Sequence, residues 1–137
     1  MSLLTATPKL HHVGVIQPDM EAAADYMAVF GHEEDYRGFV EVFSCWCIFL
    51  KAPEGQPAVE LVVPEGGPLA KFNRRAGGLH HYAFETPDLA ALQADFAARD
   101  IRMLESAPVK GAGNFLCNFI SPIATRGVIV EYVQPLD

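Results

Sequence analysis

The sequence predicts an α+β fold: two βαβββ modules forming a curved, partly closed mixed sheet around a cleft, with the helices outside. Three observations carry that prediction. "LHHVGVIQPD" (Leu10–Asp19) returns as "LHHYAFETPD" (Leu79–Asp88), at an offset of 69 residues (79 − 10). Each copy runs on into a stretch with helical spacing of its apolar residues. "VELVVP" (Val59–Pro64) then returns as "VEYVQP" (Val130–Pro135), at an offset of 71 (131 − 60), so only a small loop change separates the halves.

Each element follows in order. The His-His stretches alternate as strands do. Asp19 and Asp88 stand where a side-chain oxygen caps the free N–H groups of a first helical turn. Met20, Ala23, Ala24 and Met27 follow the i, i+3, i+4, i+7 spacing of an amphipathic helix that Gly31 ends, and Leu89, Leu92 and Phe96 repeat it. "DYRGFVEVF" and "CWCIFLK" read as the next two strands, with "RMLESAP" and "NFLCNFISP" as weaker counterparts. The closing strands are the VEL and VEY stretches. A sheet with a helix on one face leaves the other face open, and two such sheets can curve around one cleft. The expected organisation is a single domain over residues 1–137, with module one at about 8–66 and module two at about 77–135. The Pro/Gly-rich stretch between them, "PEGGP" to "AGG", marks the half-boundary.

Composition narrows the function classes. The 137 residues, half of them hydrophobic, suit one well-cored domain. A net charge of −7 argues against nucleic acid, which needs a basic face. No apolar run is long enough to span a bilayer, and "MSLLTATPK" lacks the marks of a signal peptide, so a cytoplasmic protein is expected. Cys45, Cys47 and Cys117 are an odd set without C-x-x-C spacing, which fits reduced thiols. Lys71, Arg74 and Arg75 gather in "PLAKFNRRAGG", either as a solubilising surface turn or as a landing site for an anionic tail on a small substrate.

Strand alternation selects the site residues. His12 shares a face with Gly14 and Ile16, and His81 with Ala83 and Glu85. The small neighbours Gly14 and Ala83 leave room, so His12 and His81 are expected to look into the cleft. Glu60 and Glu131 interrupt otherwise apolar strands, where an unpaired carboxylate is costly. Two imidazoles and two carboxylates, one of each per half, suit one divalent cation: Co, Ni, Zn, Mn or Fe(II).

These residues resemble the vicinal oxygen chelate superfamily, also called the glyoxalase/bleomycin-resistance fold, over nearly the whole chain. Its members pair βαβββ modules around a metal, and the match implies His12, Glu60, His81 and Glu131 as ligands. "GGPLAKFNRRAGGLHHYAFE", "PVKGAG" and "RGVIVEYVQP" are most similar to methylmalonyl-CoA epimerases, and Gly111 opens the G-A-G loop of those enzymes. The resemblance implies removal of a proton beside a thioester carbonyl, an enolate stabilised by the metal, and Glu131 as both ligand and base. It implies an acyl-CoA or other thioester substrate and a homodimer. Two departures stand out. Cys47 or Ile48 falls where relatives carry a second basic glutamate, with Glu41 one strand earlier as a substitute or a solvated residue. "SPI" (Ser121–Ile123) replaces the family's His-Pro-Lys. Arg126 either supplies a replacement charge for a substrate carboxylate or sits on the surface.

Other functions share the fold. A glyoxalase I-type lactoylglutathione lyase would use the same four ligands on a glutathione hemithioacetal, but the acyl-CoA-like stretches oppose it. An extradiol-type dioxygenase needs Fe(II) on two His and one carboxylate, and Glu60 as a fourth ligand opposes that. A non-catalytic binding protein commonly lacks the ligands.

Overall fold

The computed structural model of the chain describes residues 3–137. It divides into two compact units, His12–His80, and His81–Asp137 together with the start of the chain up to His11. The first contains β1 (Leu10–Ile16) from His12 onward, α1 (Met20–Phe30), β2 (Glu34–Val40), β3 (Cys45–Leu50) and β4 (Ala58–Pro64), in sheet order β2-β3-β4-β1. The second contains most of β5 (Gly78–Glu85), α2 (Leu89–Ala98), β6 (Val109–Lys110), β7 (Phe115–Ile120) and β8 (Val130–Pro135), in order β5-β8-β7-β6. Each is βαβββ, and the α+β class expected from the repeat holds.

The pairing also repeats. β1 runs parallel to β4, and β4 is antiparallel to β3, which pairs antiparallel with β2. β5 is parallel to β8, which pairs antiparallel with β7. The aspartate caps form as expected. Asp19 Oδ1 accepts from Ala22 N at 2.8 Å, and Asp88 Oδ1 from Ala91 N at 3.0 Å. Each satisfies an N–H that the helix itself cannot.

Helices cover one face of each sheet. Ala23 of α1 lies at the centre of a buried cluster with Ile48, Leu50, Leu61 and Val63, bordered by Met20, Tyr26 and Met27. Burying a side chain such as Leu61 stabilises by about 1.5–3 kcal/mol. Ala24, expected in the buried stripe, is exposed, and Tyr26 takes that place. In the second unit Leu89, Leu92 and Phe96 pack on Met103 and Ile120, with Leu3 and Leu4 against the same cluster.

Two expected strands differ from the structure. "DYRGFVEVF" is strand only to Val40, because Glu41–Phe43 turn into a short 3-10 helix. "RMLESAP" forms only an isolated bridge between Met103 and Ile120, and β6 at Val109–Lys110 is the regular partner of β7. The cause is a side chain. Asn118 Oδ1 accepts from Glu105 N at 3.1 Å and its Nδ2 donates to Glu105 O at 3.0 Å, taking the groups a strand would offer its neighbour. No helix among the described residues is long and apolar enough to cross a membrane.

Candidate functional site

In the first unit the parallel ladder sets Gly14 of β1 opposite Glu60 of β4. His12, two residues before Gly14, is therefore a diagonal neighbour of Glu60 on the same face. Gly14 has no side chain to intervene, and His12 Nε2 lies 3.4 Å from Glu60 Oε1. The helix-packed residues Val59, Leu61 and Val63 flank Glu60 in sequence, which puts the carboxylate on the face away from α1. Both site residues are buried, His12 completely. Phe49, directly opposite Glu60 on β3, meets the His12 ring edge-on at 5.2 Å.

The second unit builds the same pair from the same parts. Ala83 of β5 lies opposite Glu131 of β8, and His81 Nε2 is 3.0 Å from Glu131 Oε1. Both are buried. Phe119 of β7 is opposite Glu131 and meets the His81 ring edge-on at 5.2 Å. Tyr132 packs with Phe84 and Phe96 under α2, so Glu131 again faces away from the helix.

A buried carboxylate costs several kcal/mol unless an opposite charge or strong donors compensate it. An imidazole at hydrogen-bond distance is one compensation, and a shared cation is a stronger one. Two ligand atoms on one cation with bonds of about 2.1 Å are about 3.0 Å apart at a right angle and about 3.4 Å at a tetrahedral angle. The pairs at 3.0 Å and 3.4 Å match those spacings. The donor chemistry, imidazole nitrogen with carboxylate oxygen, suits a borderline divalent metal.

Of the other expected site residues, Glu41 lies apart from the pair of its own unit and the basic ones are exposed. Glu41 is exposed in the turn after β2, where Val40 pairs with Cys45, whereas Glu60 is level with Phe49 and Tyr36. Four residues of strand, roughly 13 Å, separate those levels. Lys71, Arg74 and Arg75 are exposed in the 3-10 segment Pro68–Arg75, and Arg126 is exposed in the turn before β8. Gly111 donates its N–H to Phe115 O at 2.9 Å, and a Cβ there would overlap the Phe115 ring at 2.2 Å.

Of the two residues expected near the missing second glutamate, Ile48 is buried under α1, while Cys47 shares the face of Glu60. Contact with Cys45, burial and the charge of Glu60 push the Cys47 thiol well above its ordinary pKa. Tyr36 stacks on Phe49 at 4.9 Å, and burial together with Glu60, Asp35 and Cys47 pushes its hydroxyl up to about 12. Phe49, Phe119 and Tyr36 escaped the sequence reading. For the two phenylalanines a signal existed: laying "CWCIFL" on "FLCNFI" at an offset of 70 (119 − 49) matches Phe49 with Phe119.

The comparisons with known proteins agree with this architecture. The 132 residues aligned with the ethylmalonyl-CoA/methylmalonyl-CoA epimerase of Cereibacter sphaeroides are 33% identical and cover 92% of this chain and 97% of that one. The mitochondrial methylmalonyl-CoA epimerase of Homo sapiens is 30% identical over 131 residues, covering 92% and 73%. Among solved structures, the methylmalonyl-CoA epimerase from Mycobacterium tuberculosis matches with a TM-score of 0.85 at 25% identity, over 98% of this chain and 94% of that one. A methylmalonyl-CoA epimerase in complex with methylmalonyl-CoA and NH4+ matches with a TM-score of 0.82 at 26% identity, over 95% and 96%. A family model spans residues 11–119. By that match the chain belongs to the glyoxalase/bleomycin resistance protein/dioxygenase superfamily.

Proposed function

We propose that the protein is a metal-dependent epimerase acting on a small acyl-CoA of the methylmalonyl-CoA type. The observation that carries this reading is the duplicated buried pair, His12 with Glu60 and His81 with Glu131. On this reading the two modules act as one domain, and the four side chains would together hold one divalent cation. The metal supplies Lewis-acid stabilisation of negative charge on the thioester oxygen. The similarity to epimerases of ethylmalonyl-CoA and methylmalonyl-CoA supports the substrate class.

The chain's own residues divide the remaining work. Glu131 takes the α-proton, its carboxylate held on β8 by His81 and by the strand register. Phe49 and Phe119 fix the ring orientations of His12 and His81 and exclude water from them. Tyr36 and Cys47 share the Glu60 face, which sets a hydroxyl and a thiol beside it as candidates for returning a proton to the substrate. Glu41, exposed beyond β2, is left outside this reading. Lys71, Arg74 and Arg75, gathered in one exposed segment, and Arg126, in an exposed turn of the other unit, are each cations that could meet the phosphates or the carboxylate of an acyl-CoA. The Gly111 backbone is assigned to substrate binding by the family resemblance of its G-A-G loop. A cytoplasmic homodimer is the assembly that goes with this activity.

The test is exchange of the α-proton of methylmalonyl-CoA with deuterated water, measured with metal-loaded and chelator-treated protein. Exchange that needs the metal supports the proposal. A metal-loaded protein that gives no exchange, or that instead turns over the hemithioacetal of methylglyoxal and glutathione, overturns it.

A further inference from the structure

We propose that the second unit carries a separate binding site for a small aliphatic zwitterion, an amino acid of the leucine type, between α2 and the segment that follows it. A cavity of about 310 Å³ lies there, at the lower end of the range for small-molecule sites. Ala97 of α2, with Ile101, Met103 and Leu104, gives it aliphatic walls. Leu104 is exposed, so part of that wall meets solvent when nothing covers it. Arg102 and Glu105 complete the lining with one charge of each sign. Among the described residues neither side chain forms an ion pair or a hydrogen bond. A free cation and a free anion on one cavity match the carboxylate and the ammonium that an amino acid carries on a single carbon. The aliphatic walls match a branched apolar side chain. A fatty acid or an amine would use only one of the two charges.

The cavity arises where the second module departs from the first. Residues 31–36, the counterpart of 101–106 at an offset of 70 (101 − 31), enter β2 at Glu34. In the second module Asn118 holds both the N–H and the carbonyl of Glu105, and the segment makes only one isolated bridge. Its backbone is pinned nonetheless. Ile101 N donates to Phe96 O at 2.9 Å, Leu104 N donates to Phe119 O at 2.8 Å, and Arg102 O accepts from Ser121 N at 2.9 Å. From α2, Gln93 Nε2 donates to Glu105 O and to Ser106 O, each at 3.0 Å. The walls are therefore set before a ligand arrives, which lowers the ordering cost of binding. This cavity is on the α2 side of the sheet, whereas Glu131 faces away from that helix, so occupancy does not depend on the reaction assigned above.

The experiment uses the full-length protein and L-leucine. Isothermal titration calorimetry measures the affinity, and the methyl resonances of Ile101, Met103 and Leu104 locate the ligand. The expected result is one saturable site per chain with shifts at those methyls. Arg102→Gln and Glu105→Gln each weaken leucine binding by about tenfold or more, the loss that goes with a hydrogen bond to a charged group. Two analogues assign the charges. 3-Methylbutylamine lacks the carboxylate and binds no more weakly to Arg102→Gln than to the wild type. 4-Methylpentanoate lacks the ammonium and binds no more weakly to Glu105→Gln than to the wild type. Absence of saturable leucine binding, shifts confined to other residues, or equal affinity for leucine and 4-methylpentanoate overturns the proposal. If either variant does not fold, the analogue series and the shift map in the wild type decide it.

Discussion

Replacing Gly77 by alanine tests how tightly the entry to β5 is held against the end of β1. Gly77 is buried with φ of +76°, and a Cβ on it would stand 2.3 Å from the carbonyl oxygen of Ile16 and 3.5 Å from Pro18 Cδ. Two costs add. A side chain in the left-handed region costs about 1–2 kcal/mol. An ordinary C···O contact is about 3.3 Å, so the chain must also give way by about 1 Å, and overpacking of that kind costs about 1–3 kcal/mol. The sum is about 2–5 kcal/mol, or roughly 8–20 °C in Tm for a domain of this size. Gly31 supplies the control. Its φ is +70°, yet nothing lies within 4 Å of the added Cβ. Gly31→Ala therefore carries only the conformational cost, about 1–2 kcal/mol and roughly 4–8 °C. Urea unfolding and thermal melts of the two variants side by side isolate the steric part. Equal losses would refute the close approach of Gly77 to Ile16.

Three further outcomes are expected. Glu131→Gln slows α-proton exchange by about 10²–10⁴-fold, measured at saturating metal, because a carboxamide cannot accept the proton. Asn118→Ala costs about 2–3 kcal/mol by urea unfolding, since it strips partners from the Glu105 backbone and from Gln93 Oε1, which Asn118 Nδ2 reaches at 2.9 Å. The Tyr36 hydroxyl keeps its proton to about 12 in the folded chain against 10.0 ordinarily. The unfolded chain then loses that proton first, so stability is full below pH 10 and declines as the pH rises towards 12. Urea midpoints across that range should fall less steeply for Tyr36→Phe than for the wild type, and identical slopes would contradict the raised pKa of this hydroxyl.

What the chain disclosed before folding was whatever its local chemistry encodes. The aspartate caps bond within three residues, so Asp19 and Asp88 announce both helix starts. The period of two separates His12 from His11 and Glu60 from Val59, because a one-residue slip would bury the wrong face. Asn118 is different. Its counterpart in the first module, Ile48, is an ordinary core residue, and only contact with a loop 13 residues upstream makes the amide structural. The same contact stops "RMLESAP" from becoming a regular strand, which periodicity within that segment cannot reveal. Glu41 turns out of the sheet because β2 ends in the 3-10 turn closed by Ser44 N–H on Glu41 O at 3.1 Å. The basic cluster kept its two readings because charge alone does not say what an exposed arginine meets.

His12 and Glu60 stand 48 residues apart in the chain (60 − 12), and His81 and Glu131 stand 50 apart (131 − 81). Each partnership waits on a parallel pairing between the first and last strands of its half, the step with the greatest loop-closure cost. Helix growth and the β3–β4 and β7–β8 hairpins can all precede it. A nascent or half-refolded chain therefore offers a cation only scattered donors. Ion uptake would mark the last stage of maturation and discriminate finished molecules from those still one strand short.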